Sequence, residues 1–237
     1  MATELFLATT ASEFMQCPSL PPNPAWMACH FSPYGTGLSN LPGELPQGAM
    51  VILNDRTPVS GHDPDRIAQQ LSGLGCSRIL LDFERQDESQ TAAIVERILD
   101  MLPCPVGVSE HYARDSAWPI FLPPIPPHIS PGDYLAPWQG REVWLEAALN
   151  TVCLTVTAEG CQICPADPPE KLPHRDSTLF CHYQTEVSKE QIRFTLHRTP
   201  EDLTQLLEEV RQYGVTLSVG LYQELGYMTE MLVRNHK

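Results

Sequence analysis

Apolar residues recur at helical spacing in three stretches of the chain, and each stretch runs directly into a short apolar strand. The first opens at Asp63-Pro64, where Asp63 suits the N-cap and Pro64 the first helical position, and closes at Leu74-Gly75. Ile67, Leu71 and Leu74 fall on one stripe, and Ser77 to Glu84 follows as a strand. The second runs from Ser89 to Leu102, with Ile94, Val95, Ile98, Leu99 and Leu102 apolar, and Pro103 stops it. Pro105 to Glu110 then reads as a strand. In the third, Thr199 caps, Pro200 starts the helix and Glu201 and Asp202 complement its dipole. Leu203, Leu206, Leu207 and Val210 form its buried face, Gly214 ends it, and Val215 to Tyr222 is a buried strand.

Helices alternating with near-continuous apolar strands predict a parallel sheet covered by helices. Strand starts near Trp26, Ala49, Arg78, Pro105, Trp118, Glu142, Leu179 and Val215 number eight. Eight strands with uneven crossovers predict an α/β fold, a single irregular (β/α)8 TIM-like barrel; an open doubly wound sheet is the alternative. Residues 151–164 and 178–197 alternate apolar and polar positions, predicting antiparallel hairpins that turn near Ala158-Glu159-Gly160 and Val187 to Glu190. Prolines cluster at 18–24, 119–131 and 165–173, where Pro-rich loops stand in for crossover helices. The domain boundaries expected are 1–237, with 1–25 as a loop-rich N-terminal extension.

Composition narrows the partners. Among 237 residues, 15 Lys and Arg face 29 Asp and Glu, for a net charge of −14. Such a field opposes a phosphate backbone, so no nucleic-acid partner is expected. No apolar run reaches the ~18 residues of a membrane span, so no membrane association is expected. The N-terminus lacks a basic segment followed by an apolar one, which predicts no signal peptide. Eight cysteines spread through the chain do not form the dense framework of a small secreted scaffold, which predicts reduced thiols and a cytoplasmic location. Cys161-Gln-Ile-Cys164 has the spacing of half a zinc site but lacks a second pair, so these are read as packing thiols and no metal or other cofactor is called for.

The candidate chemistry lies in Leu81-Asp82-Phe83-Glu84. Residues two apart in a strand share a face, so Asp82 and Glu84 project together while Phe83 points the other way. They stand at the C-terminal end of a strand, where barrel enzymes keep their catalytic groups. Neighbouring carboxylates repel when both ionise, which favours protonation of one and suits it to general acid work. Other predicted strand ends carry Asp55, Glu110, Tyr112, Trp144, Glu146, Tyr222 and Glu224. Acids and rings at one rim suit a sugar cleft, because rings stack on a pyranose face and carboxylates take its hydroxyls. The expected partner is therefore a small-molecule or oligosaccharide ligand. Asp82 and Glu84 with Asp55 or Glu110 could instead hold Mg²⁺ in a phosphoesterase-like barrel, but no Gly-rich loop or Lys/Arg cluster accompanies them. No Gly-x-Ser-x-Gly nucleophile elbow occurs.

Gly75-Cys-Ser-Arg-Ile-Leu-Leu-Asp82-Phe83-Glu84, after an amphipathic helix, resembles the signature strand of the chitinase-like glycoside hydrolase family 18. That family's motif is Asp-x-x-Asp-x-Asp-x-Glu, on a (β/α)8 barrel. The resemblance implies that Glu84 is the proton donor and Asp82 the acid that orients a substrate acetamido group. The two earlier Asp positions hold Leu80 and Ser77. The family's motif strand is the fourth, whereas the strand starts counted above make this one the third. The resemblance implies a glycoside hydrolase-like barrel, or a non-catalytic sugar- or ligand-binding barrel derived from one.

Overall fold

The structure is a computed structural model, and it describes residues 4–16, 20–59, 61–85, 89–113 and 118–228. In chain order the elements begin with β1 (Glu4–Thr9), α1 (Ala11–Gln16), β2 (Pro24–Phe31), β3 (Leu38–Ser39), β4 (Met50–Asn54), α2 (Pro64–Ser72) and β5 (Arg78–Asp82). Next come α3 (Ser89–Met101), β6 (Val106–Ser109), β7 (Ile120–Leu122), α4 (Pro131–Leu135) and β8 (Val143–Ala147). Five antiparallel strands follow: β9 (Thr151–Thr157), β10 (Gly160–Pro165), β11 (His174–Asp176), β12 (Cys181–Val187) and β13 (Gln191–His197). The chain then returns through α5 (Pro200–Glu209) and β14 (Val215–Leu221) to α6 (Tyr222–Leu225).

Among the described residues, eight parallel strands pair in the order β1-β14-β8-β7-β6-β5-β4-β2, and β1 pairs with β2 to close the ring. This is the (β/α)8 barrel, and closure rules out the open sheet. β3 adds one short antiparallel rung to β2. Alternate residues fill the interior, among them Phe6, Met50, Leu80, Phe121, Trp144 and Leu217. The opposite faces pack on α2, α3 and α5 in a larger sheath.

Two features of the ring differ from the sequence reading. Glu4–Thr9 is its first stave, hydrogen-bonded on both sides, rather than part of a loop-rich extension over 1–25. The strand begun near Leu179 belongs to the inserted antiparallel sheet, not the barrel. The count of eight survives because one strand enters as the other leaves. β5, with Asp82 at its end, therefore becomes the fourth barrel strand.

Local chemistry explains the element ends. The Asp63 side chain accepts from the Asp65 amide at the start of α2. Thr199 and Asp202 make a reciprocal capping box on α5. Gly214 holds φ at +92°, and a Cβ there would lie 2.7 Å from the Arg141 carbonyl, so this tight entry to β14 requires glycine. The inserted sheet orders as β10-β9-β13-β12-β11, with hairpin turns where the alternation placed them. Among the described residues, no helix is long and apolar enough to cross a membrane.

Candidate functional site

At the C-terminal rim, β5 keeps the alternation of its interior residue Leu80, so Asp82 follows on the barrel side. Phe83 points into the sheath, fully buried, its ring 5.6 Å from that of Phe31 and edge-on to Tyr112 at 6.1 Å. Ser109 Oγ accepts from the Phe83 amide at 2.9 Å and donates to the Leu81 carbonyl, pinning the strand end to β6.

The segment carrying Glu84 is clamped from both neighbouring strands. Asp55, 5% exposed at the end of β4, accepts the amides of Glu84 at 3.2 Å and Arg85 at 2.8 Å through its two oxygens. Tyr112 donates its hydroxyl to the Arg85 carbonyl, and the Arg85 guanidinium donates to the Arg56 carbonyl. Glu84 is left exposed at the tip. Arg78 lies at the other end of β5 and pairs with Glu4 at 2.8 Å.

Glu146 lies near the end of β8, two residues beyond Trp144 on the same face. Burial raises the Asp82 carboxyl to about 6, helped by the charges of Glu84 and Asp55. Burial likewise raises Glu146 to about 7, helped by Asp82, Glu224 and Glu84. Residues far apart in sequence thus share one electrostatic site. Glu224, in α6, accepts the Leu149 amide, which ties α6 to the segment after β8. Tyr222 begins α6 with its ring against Gly226.

Trp144 stands apart from this rim. It is buried in the interior, its Nε1 donates to Glu142 at 3.2 Å near the N-terminal end, and its ring covers Gly107. It floors the site rather than walling it. Asp55 similarly spends its oxygens on backbone amides.

Sequence reading missed Tyr134 of α4. Its hydroxyl donates to the Pro123 carbonyl at 3.0 Å, and burial, with the charges of Glu110 and Glu146, pushes it up to about 12. A local signal was available in Ser130-Pro131-Gly-Asp133, where Ser130 caps the helix that presents Tyr134. Asn54 lies beside Asp82 in register and donates weakly to the Met27 carbonyl.

Among the described residues, no group of three or more His, Cys, Asp or Glu is gathered to hold a metal ion. Cys161 and Cys164, three apart in β10, face opposite sides of the sheet and are both exposed. Asp82 and Glu146 thus hold protons at the rim into the pH 6–7 range, as acid–base chemistry near neutrality requires.

No protein-family model and no curated protein matches the chain. Solved structures do resemble it in fold. The spore cortex-lytic enzyme SleL of Bacillus cereus aligns with a TM-score of 0.55 at 10% identity, covering 98% of this chain and 74% of that one. SleL of Bacillus megaterium QM B1551 aligns at 0.50 with 10% identity, covering 92% and 70%. The C-terminal domain of a putative chitinase from Desulfitobacterium hafniense DCB-2 aligns at 0.54 with 10% identity, covering 100% of both chains. The chain has the barrel fold of these structures.

Proposed function

We propose that the protein is carbohydrate-active and cleaves a glycosidic bond, with Glu84 as the general acid and Asp82 as its electrostatic partner. The observation that carries this reading is the coupled set of carboxyls at the C-terminal rim, of which Asp82 is raised to about 6 and Glu146 to about 7. Glu84, exposed at a tip whose backbone is held by Asp55, reaches the glycosidic oxygen. Asp82 lies deeper and keeps a proton to donate to the substrate in mildly acidic solution. Glu110, Tyr112, Glu146, Tyr222 and Glu224 take the sugar hydroxyls and ring faces, with Tyr134 added. Asp55 and Trp144 act beneath the ligand, holding the Glu84 segment and filling the barrel. Neutral glycan suits a rim this acidic, and the names of the fold neighbours, a chitinase and cortex-lytic enzymes, are consistent with an oligosaccharide substrate. The reading calls on no cofactor.

Leu80 favours a second reading, a barrel that binds sugar without cutting it. It occupies a motif position with an apolar side chain directly beneath Asp82, and Ser77, at the other vacated position, donates to the Gly48 carbonyl at the far end of the strand. Turnover of a panel of chromogenic glycosides separates the two. Hydrolysis predicts activity that falls as Asp82 and Glu146 lose their protons through about pH 6–7, and a Glu84→Gln loss of about 100-fold or more in kcat. Unchanged turnover in Glu84→Gln removes the acid from its role. Oligosaccharide binding with no turnover selects the second reading.

A further inference from the structure

Cys164 of β10 stands directly opposite Cys153 of β9, inside an unbroken antiparallel run from the Gly160–Thr157 pair to the Pro165–Val152 pair. The register is fixed on both flanks. Past the cysteines the Ala166 amide donates to the Thr151 carbonyl at 3.1 Å, and β13 sets Thr195 against the other side of Cys153. Directly opposed residues of an antiparallel pair project to the same face. Their Cα atoms lie about 4.5 or 5.5 Å apart, according to whether the pair exchanges backbone hydrogen bonds, and a disulfide spans about 4.4–6.8 Å. Either spacing admits the bond. Among the described residues β10 is the outer strand, with β9 as its one neighbour, so it is free to make the slight approach that closure needs.

Both thiols are free and within reach of a small reagent. Cys164 is exposed and Cys153 is partly buried, its sulfur 3.8 Å from the Thr155 hydroxyl two residues along the same face. The Cys-x-x-Cys spacing would pair Cys164 with Cys161 instead. Cys161, however, sits opposite Val156 and points to the other side of the sheet. The partner of Cys164 through space is therefore not its partner in the sequence.

We propose that Cys153 and Cys164 are a modification site, a cross-strand dithiol that reacts with low-molecular-weight disulfides and closes into an intramolecular bond. Cys164, the more exposed, gives up its proton and attacks one sulfur of the small disulfide; that S–S bond breaks, and the released thiolate takes up a proton. Cys153 then loses its proton and attacks the Cys164 sulfur, expelling the second small thiolate, which is protonated in turn. Two protein thiols are oxidised and one disulfide is reduced to two thiols. The closed ring runs from 153 to 164 around the turn at Ala158 and Glu159, so the outermost strand of the insert is stapled to its neighbour.

The test uses the full chain, reduced and then incubated with glutathione disulfide. Remaining thiols are alkylated and the chain is cut after its glutamates; cleavage after Glu159 separates Cys153 from Cys161 and Cys164. Non-reducing mass spectrometry is expected to show the Cys153 fragment joined to the fragment holding Cys164, with Cys161 alkylated. Amide hydrogen exchange across β9 and β10 should slow about tenfold or more on oxidation. Cys161→Ser should keep the cross-link, and Cys164→Ser should remove it. A bond between Cys161 and Cys164 overturns the proposal, as does a glutathione adduct that persists on Cys164 while Cys153 stays alkylated. Exchange that is unchanged by the cross-link overturns the staple. The mapping and the exchange are both read in the unsubstituted protein, so a poorly folding variant does not decide the outcome.

Discussion

The barrel and the sheet inserted between β8 and α5 are made of similar residues in similar strands, yet they meet water very differently. All four residues of β6 are buried, whereas all six of β10 are exposed. The cause is layering. The barrel strands have one face in the closed interior and the other under a sheath of helices and loops, so both sets of alternating side chains leave water. The insert also alternates: register places Ile163, Leu154 and Phe194 on one face, with Gln162, Thr155 and Arg193 on the other. Among the described residues its apolar face stays largely open, with Val187 74% exposed.

Polar contacts at one end secure the insert instead. Arg198, 1% exposed, donates to the carbonyls of Ile125, Phe180 and Leu179, joining the loop after β7 to the segments flanking the last hairpin. The fully buried Asp202 of α5 accepts from Arg175 Nε at 2.9 Å and bonds His182 Nδ1 at 2.7 Å, which ties β11 and β12 down. Apolar burial holds the ring, and saturated polar contacts hold the appendage.

The largest test of this contrast is Gly107→Val. A Cβ at Gly107 would lie 2.2 Å from the Trp144 ring, which is itself locked in the interior. A loss of about 3 kcal/mol or more in denaturant unfolding is expected. A loss under about 1 kcal/mol would mean that the interior yields as readily as the insert.

Smaller effects come from two acids with opposite pH signatures. Burial raises Asp202, but hydrogen bonds from Thr199, Arg175 and His182 outweigh it, so its carboxyl is lowered overall. It therefore stabilises the fold above its ordinary titration range, and that contribution fades as pH falls through the lowered value. Asp202→Ala should cost about 2–4 kcal/mol at pH 7 and less in acid. Glu146 is raised to about 7, so the folded state binds a proton that the unfolded chain releases, and stability falls as pH rises from about 4.5 to 7. Glu146→Gln should gain about 1–2 kcal/mol at pH 8 and almost nothing at pH 4.5, by chemical denaturation at each pH. Matching pH slopes for the two variants would erase the distinction between joint and rim. The smallest effect is expected for Val187→Thr, on the open face of the insert: within about 0.5 kcal/mol of the parent in the same measurement.

Much of the site was legible because strand period is a local property. Asp82 and Glu84 flank Phe83, and Phe83 is buried against Phe31 as that period requires. The helices α2, α3 and α5 were legible from caps and stripes for the same reason. Glu4–Thr9 was not: six residues with no helical pattern beside them look like any short apolar run. Only pairing with β14 on one side and β2 on the other makes them a stave. The strand at Cys181–Val187 erred the other way, since alternation reveals a strand but not which sheet it joins. Trp144 shared its parity with Glu146, but parity does not say that the ring would turn down onto Gly107.

The chain by itself determined periodicity, caps, breaks and the pairing of two acids on one strand, because backbone geometry sets these over a few residues. Tertiary structure alone decided that the ring closes, that β5 is its fourth stave, and that the charge of Asp82 acts on Glu146 with two strands between them. Closure and the raised carboxyls both arise from groups brought together through space and out of water, and neither exists until the barrel has formed.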